Sequence, residues 1–461
     1  MPPAARLRQN LPLLVSRRAD RYLFYSRRSG EVSLFNPDGK HIWDLFARPT
    51  SRADALKQLA AERPLSGAAA RSVLRFVELL RERGYLVDDG PAYSPVIPDN
   101  PVKPASPERD ALTSLYLHVT NRCNLKCLYC YNEGYRAASV QDRELSLAEM
   151  RDIVEQAHAL QVRSMTFTGG EPLIRREAIQ VARYARSLGL RTTCLTNGTL
   201  LRRRVDAVAE AFDHVVVSLD SWQDEENALI RVGSKLDKIA EGTRALVATG
   251  TGVSLRPVIT RFNVHSLAGF PEYAVRHLGS IDFMPALCSP SEEGDEDLYQ
   301  FLPEVEDYRE ALRAFNENLR RLGGHTDDGA PVAKPSGQCG AGTGLLSIAA
   351  NGDVFPCQVL QQPGHAVGNV REQSIESIWR DSKALQRFRL QPPQRFESCS
   401  RCAIAGLCSF NCRAVFGAFN DSEADFTAHV CRYAQAEVED HLWQEALRQA
   451  PPAPGTLTGV A

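Results

Sequence analysis

Apolar residues recur along this chain at two different periods, and the change between them marks its organisation. Between residues 113 and 321, short apolar runs alternate with helical patterns. Strand-like runs fall at Ser114–Val119, Ser164–Thr168, Leu190–Leu195, His214–Leu219, Val253–Ile259 and Ser280–Met284. Between them Ser146 and Glu149 form a capping box, and helices are expected over Arg175–Leu188, Leu236–Ala248 and Glu304–Arg321. Six such units predict a parallel sheet with helices outside it, an α/β fold.

Residues 1–88 read as a separate unit. Arg21–Arg28 and Glu31–Asn36 are strand-like around Ser29-Gly30, a hairpin signal. Short helices are expected around His41–Phe46 and, after Ser51, over Asp54–Ala61. A third begins after Ser66, with Val73, Phe76, Val77 and Leu80 on one face, and Tyr85-Leu86-Val87 returns as a strand. Residues 89–112, with Pro91, Pro95, Pro98, Pro101, Pro104 and Pro107, read as a semi-extended linker. Residues 331–435 contain Asn351-Gly352 between apolar runs, which predicts a type I′ hairpin with Cys339 and Cys357 at its two ends. Residues 436–461 continue a C-terminal helix, expected over about Ala434–Arg448, and end in a Pro-rich tail.

Composition narrows the class. The 461 residues carry a net charge of −2, with 43% hydrophobic and 24% charged positions, as in soluble globular proteins. This balance gives no electrostatic case for nucleic acid or an anionic membrane. Leu11–Val15 is too short for a signal-peptide core, and no apolar run has the length of a membrane span, so a cytoplasmic location is expected. Twelve cysteines in a reducing compartment argue for metal ligation over disulfides.

The cysteines fall into two groups. Cys123, Cys127 and Cys130 follow the first strand-like run at C-x3-C-x2-C spacing. Three thiols leave a metal centre one open corner, whereas a closed structural site uses four ligands. The second group is Cys339, then Gly352 and Cys357, then Cys399, Cys402, Cys408, Cys412 and Cys431. Spacing alone leaves zinc open for both groups.

The stretch Cys123-Asn124-Leu125-Lys126-Cys127-Leu128-Tyr129-Cys130 resembles the signature of the radical S-adenosylmethionine superfamily, which prefers an aromatic residue before the third cysteine. That resemblance implies a 4Fe–4S cluster on Cys123, Cys127 and Cys130, with S-adenosylmethionine chelated at its open iron. It implies a partial (β/α)6 TIM barrel with active residues at the carboxyl ends of the strands. Thr168-Gly169-Gly170-Glu171-Pro172 then resembles the superfamily's contact to the methionine amino group. Tyr129, Asn197, Ser218 and Asp220 are further cofactor-binding candidates, the last two near the ribose. Arg231 falls where relatives place an arginine on the methionine carboxylate, although Asp224-Glu225-Glu226 replaces the usual lead-in. Val258 or Ile259 is the candidate for packing the adenine, and Asn263 for a polar contact.

The second cysteine group resembles the iron–sulfur SPASM extension of radical S-adenosylmethionine maturases. It implies two auxiliary clusters, hence three 4Fe–4S clusters in all. Cys399, Cys402, Cys408 and Cys431 would close the outer one. Cys339, Cys357 and Cys412 are left for the inner one, a ligand short, with one iron open to a substrate group, water or Cys288, and Cys194 read as a core residue. Phe35-Asn36-Pro37-Asp38-Gly39 with Ile42-Trp43 resembles the PqqD-like peptide-recognition domain, a winged-helix-like α+β fold. A leader peptide would add a strand at its sheet edge beside the third helix. A winged-helix-like accessory domain without a ligand is the alternative.

Together the resemblances imply a maturase of a ribosomally made precursor peptide that forms a carbon–carbon or carbon–sulfur (thioether) cross-link. A flavodoxin or ferredoxin-type donor would supply electrons. Two other readings stand beside it. A sulfatase maturase has no such N-terminal domain and carries a catalytic Asp where this chain has Gln358. A non-catalytic iron–sulfur or zinc protein that escorts a peptide would make the three-cysteine loop and the Gly169-Gly170-Glu171 turn coincidental.

Overall fold

A computed structural model describes residues 6–90, 93–95, 111–130, 143–279, 282–283, 285–287, 300–323, 340–361, 363–390, 396–408, 424 and 427–449. The expected linker therefore lies largely outside the described residues, as do Cys288, Cys339, Cys412 and the C-terminal tail. The chain divides into two compact units. One comprises the described parts of 1–101, 395–409 and 434–461, the other those of 102–394 and 410–433. These units cut across the division read from the sequence. The reason is pairing: segments far apart in the chain complete each other's sheets and cores.

The larger unit is built on an eight-stranded sheet. Its order is Gly252–Leu255, His214–Val217, Arg191–Thr196, Ser164–Gly169, Ser114–Thr120, Leu345–Ile348, Asp353–Phe355 and Gly368–Asn369. The first six strands run parallel and the last two antiparallel. Helices Leu147–Ala159, Arg176–Ser187, Val205–Ala211 and Leu236–Val247 form the crossovers. Alternation explains the core: Leu115, Leu117 and Val119 are fully buried, as are Met165 and Phe167 on the next strand. The first helix starts where Ser146 and Glu149 close the expected capping box.

The fifth expected run is broken, because Pro257 supplies no backbone donor. Val258–Ile259 pairs instead with Ala286–Leu287, and Leu255 bridges Phe283, the one described residue of the sixth expected run besides Asp282. The expected hairpin is present at Leu345–Phe355, but its turn differs from type I′. Among non-glycine described residues only Ala19 and Gln161 have positive φ, so Asn351 is not left-handed. Gly352 is, at +92°. Ala349 and Gly352 close the turn, with Gly352 N–H donating to the Ala349 carbonyl at 2.9 Å. Cys357 follows the second strand. Cys339 lies outside the described residues.

The smaller unit holds the hairpin expected around Ser29-Gly30, and adds Arg6–Gln9, Leu13–Arg18 and Thr50–Ser51, strands that the sequence pattern does not announce. Leu13–Arg18, Arg21–Ser26 and Val32–Phe35 form an antiparallel meander, while Arg6–Gln9 lies between Thr50–Ser51 and Leu86–Asp88. Helices Pro37–Asp44, Arg52–Glu62 and Gly67–Glu82 are each started by a side-chain cap, from Asn36, Ser51 and Ser66. Phe24 fills the core, its ring edge-on to Phe35 and Trp43 at 4.9 Å and to Tyr85 at 5.8 Å.

Candidate active site

The cysteine loop leaves the strand Ser114–Thr120 and is tied down at three places. At its start, Glu144 accepts from Thr120 Oγ1 at 2.6 Å and from Asn121 N–H at 2.8 Å. Leu125 is buried in the middle of the loop. At its far end Lys126–Cys127 forms a two-residue antiparallel ladder with Arg231–Val232, placing Arg231 opposite Cys127. Leu128 N–H extends that ladder to the Ile230 carbonyl at 3.0 Å.

Gly169 and Gly170 allow a close backbone approach, but to the cysteine loop. A Cβ on Gly169 would meet the Thr120 carbonyl oxygen at 2.2 Å, and one on Gly170 the Arg122 carbonyl oxygen at 2.3 Å. The N–H groups of Gly170 and Glu171 donate to these same oxygens, both at 2.8 Å. Glu171 is fully buried, and burial raises its pKa. Its carboxylate joins two strand ends, accepting from Leu173 N–H at 3.0 Å, Thr196 Oγ1 at 2.8 Å and Asn197 N–H at 2.7 Å. Asn197 in turn donates from Nδ2 to Asn124 Oδ1 at 2.9 Å and lies 3.9 Å from Cys123 Sγ. Pro172 is buried at the first position of the short helical turn Pro172–Ile174.

Tyr129, Asp220 and Arg231 form one buried network beside Cys127. Arg231 Nε lies 2.9 Å from Asp220 Oδ2, the side chains being 7% and 0% exposed. Arg231 also donates to the Tyr129 hydroxyl at 2.9 Å and toward Cys127 Sγ at 3.6 Å. The Tyr129 hydroxyl donates to Asp220 Oδ2 at 2.5 Å. Burial opposes the charge on Arg231, but Asp220, then Tyr129 and Cys127, hold its pKa above the usual range. Burial pushes the Cys127 thiol up to about 11, with Arg231 pulling it down. Burial likewise keeps the Tyr129 hydroxyl protonated.

The remaining candidates fall around this network. Val258 N–H donates to Asp220 Oδ1 at 2.9 Å, next to buried Ile259. Ser218 is half-buried and continues the sheet through its N–H to the Thr196 carbonyl. Asn263 is engaged within the protein, donating to the carbonyls of Asp220 and Val258 at 2.7 and 2.9 Å. Cys194 is fully buried within its strand, as read. Cys357 is buried, and Cys399, Cys402, Cys408 and Cys431 are half-buried. Glu144, Asn124 and Thr196 were missed: a polar residue in a loop or at a strand end has no periodicity to betray it.

The donor set around the three thiols suits an iron–sulfur cluster. Cys123 and Cys130 both act electrostatically on Cys127. Leu125 N–H lies 3.4 Å from Cys123 Sγ, and the Arg231 guanidinium stands beside Cys127, donors that favour anionic sulfur. Among the described residues no three of His, Cys, Asp and Glu close on one point as for a single ion. A four-iron cluster does not require this, since each thiolate takes its own iron.

Comparison with known proteins agrees with this chemistry. Residues 117–271 match the radical SAM superfamily, residues 339–403 the SPASM iron–sulfur cluster-binding domain, and residues 22–86 coenzyme PQQ synthesis protein D. Residues 117–271 of the chain thus carry a radical SAM domain. More particularly, the chain combines the radical SAM domain with a SPASM domain and a PqqD domain. It is 29% identical over 297 residues to the PqqA peptide cyclase of Methylobacterium sp. strain 4-46, covering 62% of this chain and 77% of that one. It is 25% identical over 325 residues to the AdoMet-dependent heme synthase of Methanosarcina barkeri, covering 64% and 89%. In fold it resembles Streptococcus suis SuiB, crystallised with its precursor peptide SuiA, at a TM-score of 0.57 and 15% identity, over 90% of this chain and 97% of that one. Among the described residues no helix is long and apolar enough to cross a membrane.

Proposed function

We propose that this chain is a maturase of a ribosomally synthesised precursor peptide, closing a carbon–carbon or thioether cross-link within it. The observation that carries the reading is the coexistence of a thiol loop held by Arg231 and Glu171 with a PqqD domain at residues 22–86. The heme synthase relative matches 64% of the chain. The PqqD match and the peptide cyclase relative favour a peptide substrate.

In this reading the eight-stranded sheet belongs to a partial six-unit barrel, and the N-terminal domain is winged-helix-like. Cys123, Cys127 and Cys130 hold the catalytic cluster. Cys399, Cys402, Cys408 and Cys431 hold an outer auxiliary cluster, and Cys339, Cys357 and Cys412 an inner one. Held at the first cluster, S-adenosylmethionine would supply radical chemistry able to remove hydrogen from a peptide carbon. The chain's own residues hold position and charge. Arg231 sets positive charge beside Cys127, Glu171 fixes the strand ends at Thr196 and Asn197, and Gly169-Gly170 seats the cysteine loop. The leader adds a strand to the edge Val32–Phe35, which raises the effective concentration of the core peptide at the site. A flavodoxin or ferredoxin-type protein donates electrons in the cytoplasm.

Anaerobic reconstitution with S-adenosylmethionine, dithionite and the precursor encoded nearby tests this. The expected result is 5′-deoxyadenosine with a peptide lighter by two hydrogens. Formation of 5′-deoxyadenosine with a porphyrin substrate and none with the peptide would overturn it.

A further inference from the structure

The N-terminal domain does more than present a sheet edge: it grips the loop that carries Cys399, Cys402 and Cys408. These segments belong to one compact unit. Arg27, just past the strand Arg21–Ser26, places Nη1 2.8 Å from the Cys399 carbonyl oxygen, 3.3 Å from that of Ser400 and 3.1 Å from that of Cys402. Two of the acceptors, Cys399 and Ser400, lie in the helical turn Glu397–Arg401 and the third, Cys402, follows it in extended backbone, so the guanidinium nitrogen sits at the end of that turn. Cys399 and Cys402 sit one turn apart, and Cys402 N–H closes that turn on the Cys399 carbonyl. A second, independent clasp lies on the neighbouring strand Leu13–Arg18. Arg18 pairs with Asp440 at 2.7 Å, the side chains 14% and 4% exposed. Trp443 Nε1 donates to Ser16 Oγ at 3.0 Å, and the Arg18 guanidinium lies 5.1 Å from the Trp443 ring.

We infer that Arg27 is a positioning residue for an auxiliary iron–sulfur cluster, so that the N-terminal domain is a structural part of that cluster's site. The inference rests on the reading of Cys399, Cys402 and Cys408 as cluster ligands. Arg27 fixes the turn that spaces two of the thiolates, and its charge lies near the cluster those thiolates bind. Both effects favour the anionic, iron-loaded loop. A lysine keeps the charge, but its ammonium ends one bond short of the position where Nη1 meets the three carbonyls.

The test is iron release from the reconstituted full-length chain to a ferrous chelator, with the electron paramagnetic resonance spectrum of the reduced protein read in parallel. Arg27→Ala is expected to release the iron of one cluster about tenfold faster than the unaltered chain, the order set by losing a charge-assisted hydrogen bond. The spectrum of that cluster should shift while the Cys123 cluster signal stays. Arg27→Lys should fall between the two. Where Arg27→Ala does not fold, Arg27→Lys alone decides. Release and spectrum unchanged in the variants overturn the inference. A Cys399→Ser chain that binds as much iron as the unaltered one also overturns it, by removing the ligand reading beneath it.

Discussion

Arg231 and Asp220 meet at 2.9 Å with their side chains buried, and the half-buried Tyr129 is bonded to both through its hydroxyl. The Asp220 carboxylate reaches the strand Val258–Ile259 through Val258 N–H, and the guanidinium reaches Cys127. The pair therefore connects the cysteine loop to the fourth and fifth strand ends. In this arrangement the arginine expected at the methionine carboxylate already has a carboxylate partner within the protein.

Replacing Arg231 with Met should leave Asp220 buried and uncompensated, at a cost of about 3–5 kcal/mol. Urea denaturation measures this. Adding Asp220→Asn should recover part of the loss, and a double variant as unstable as the sum of both would count against a direct pair.

Gly170→Ala should displace the cysteine loop, since its Cβ would fall 2.3 Å from the Arg122 carbonyl oxygen. The expected outcome is a chain that loads less iron and forms little 5′-deoxyadenosine. Gly189→Ala is the control. Its φ is +86° but nothing lies within 4 Å, so it should cost about 1 kcal/mol of stability and leave iron loading intact.

Cys127→Ala should abolish formation of 5′-deoxyadenosine, because Cys127 is the thiol in register with Arg231. Leader affinity, followed by fluorescence anisotropy, should be unchanged. Residual 5′-deoxyadenosine would remove Cys127 from the site.

Arg371 donates to Glu149 at 2.6 Å, and this bond, with the contacts at Ser146, depresses Glu149 from 4.5 to about 2. A depressed carboxylate stabilises the fold fully above its unfolded pKa and loses that contribution as pH falls toward the folded one. The melting-temperature gap between the unaltered chain and Arg371→Ala, measured on metal-free protein, should therefore be widest at neutral pH. It should narrow between about pH 4.5 and pH 2. A gap constant across that range would contradict the pairing.

What the sequence made legible was local. Ser51, Ser66 and Ser146 cap helices through backbone donors three residues on, and the apolar runs of the parallel strands carry their own signal. The strand Leu13–Arg18 was not legible, because Arg17 and Arg18 spoil its apolar pattern and the Asp440 partner is 422 residues away. The same holds for the site. The cysteine spacing stood out, whereas the meeting of Arg231 with Cys127 depends on a two-residue ladder between distant segments. Gly169 and Gly170 stand out in the sequence as a Gly-Gly pair at a strand end. The identity of what they approach, Thr120 and Arg122, required the sheet register.

The clasp of Arg18 on Asp440 also bears on the order in which the protein is made. Arg18 leaves the ribosome 422 residues ahead of Asp440, and Ser16 427 residues ahead of Trp443. During synthesis the sheet of Leu13–Arg18 must wait, with Ser16 and Arg18 uncovered, until Asp440 and Trp443 have emerged. A chain truncated before Asp440 would leave Ser16 and Arg18 without these partners, and quality-control proteases would meet it in that state.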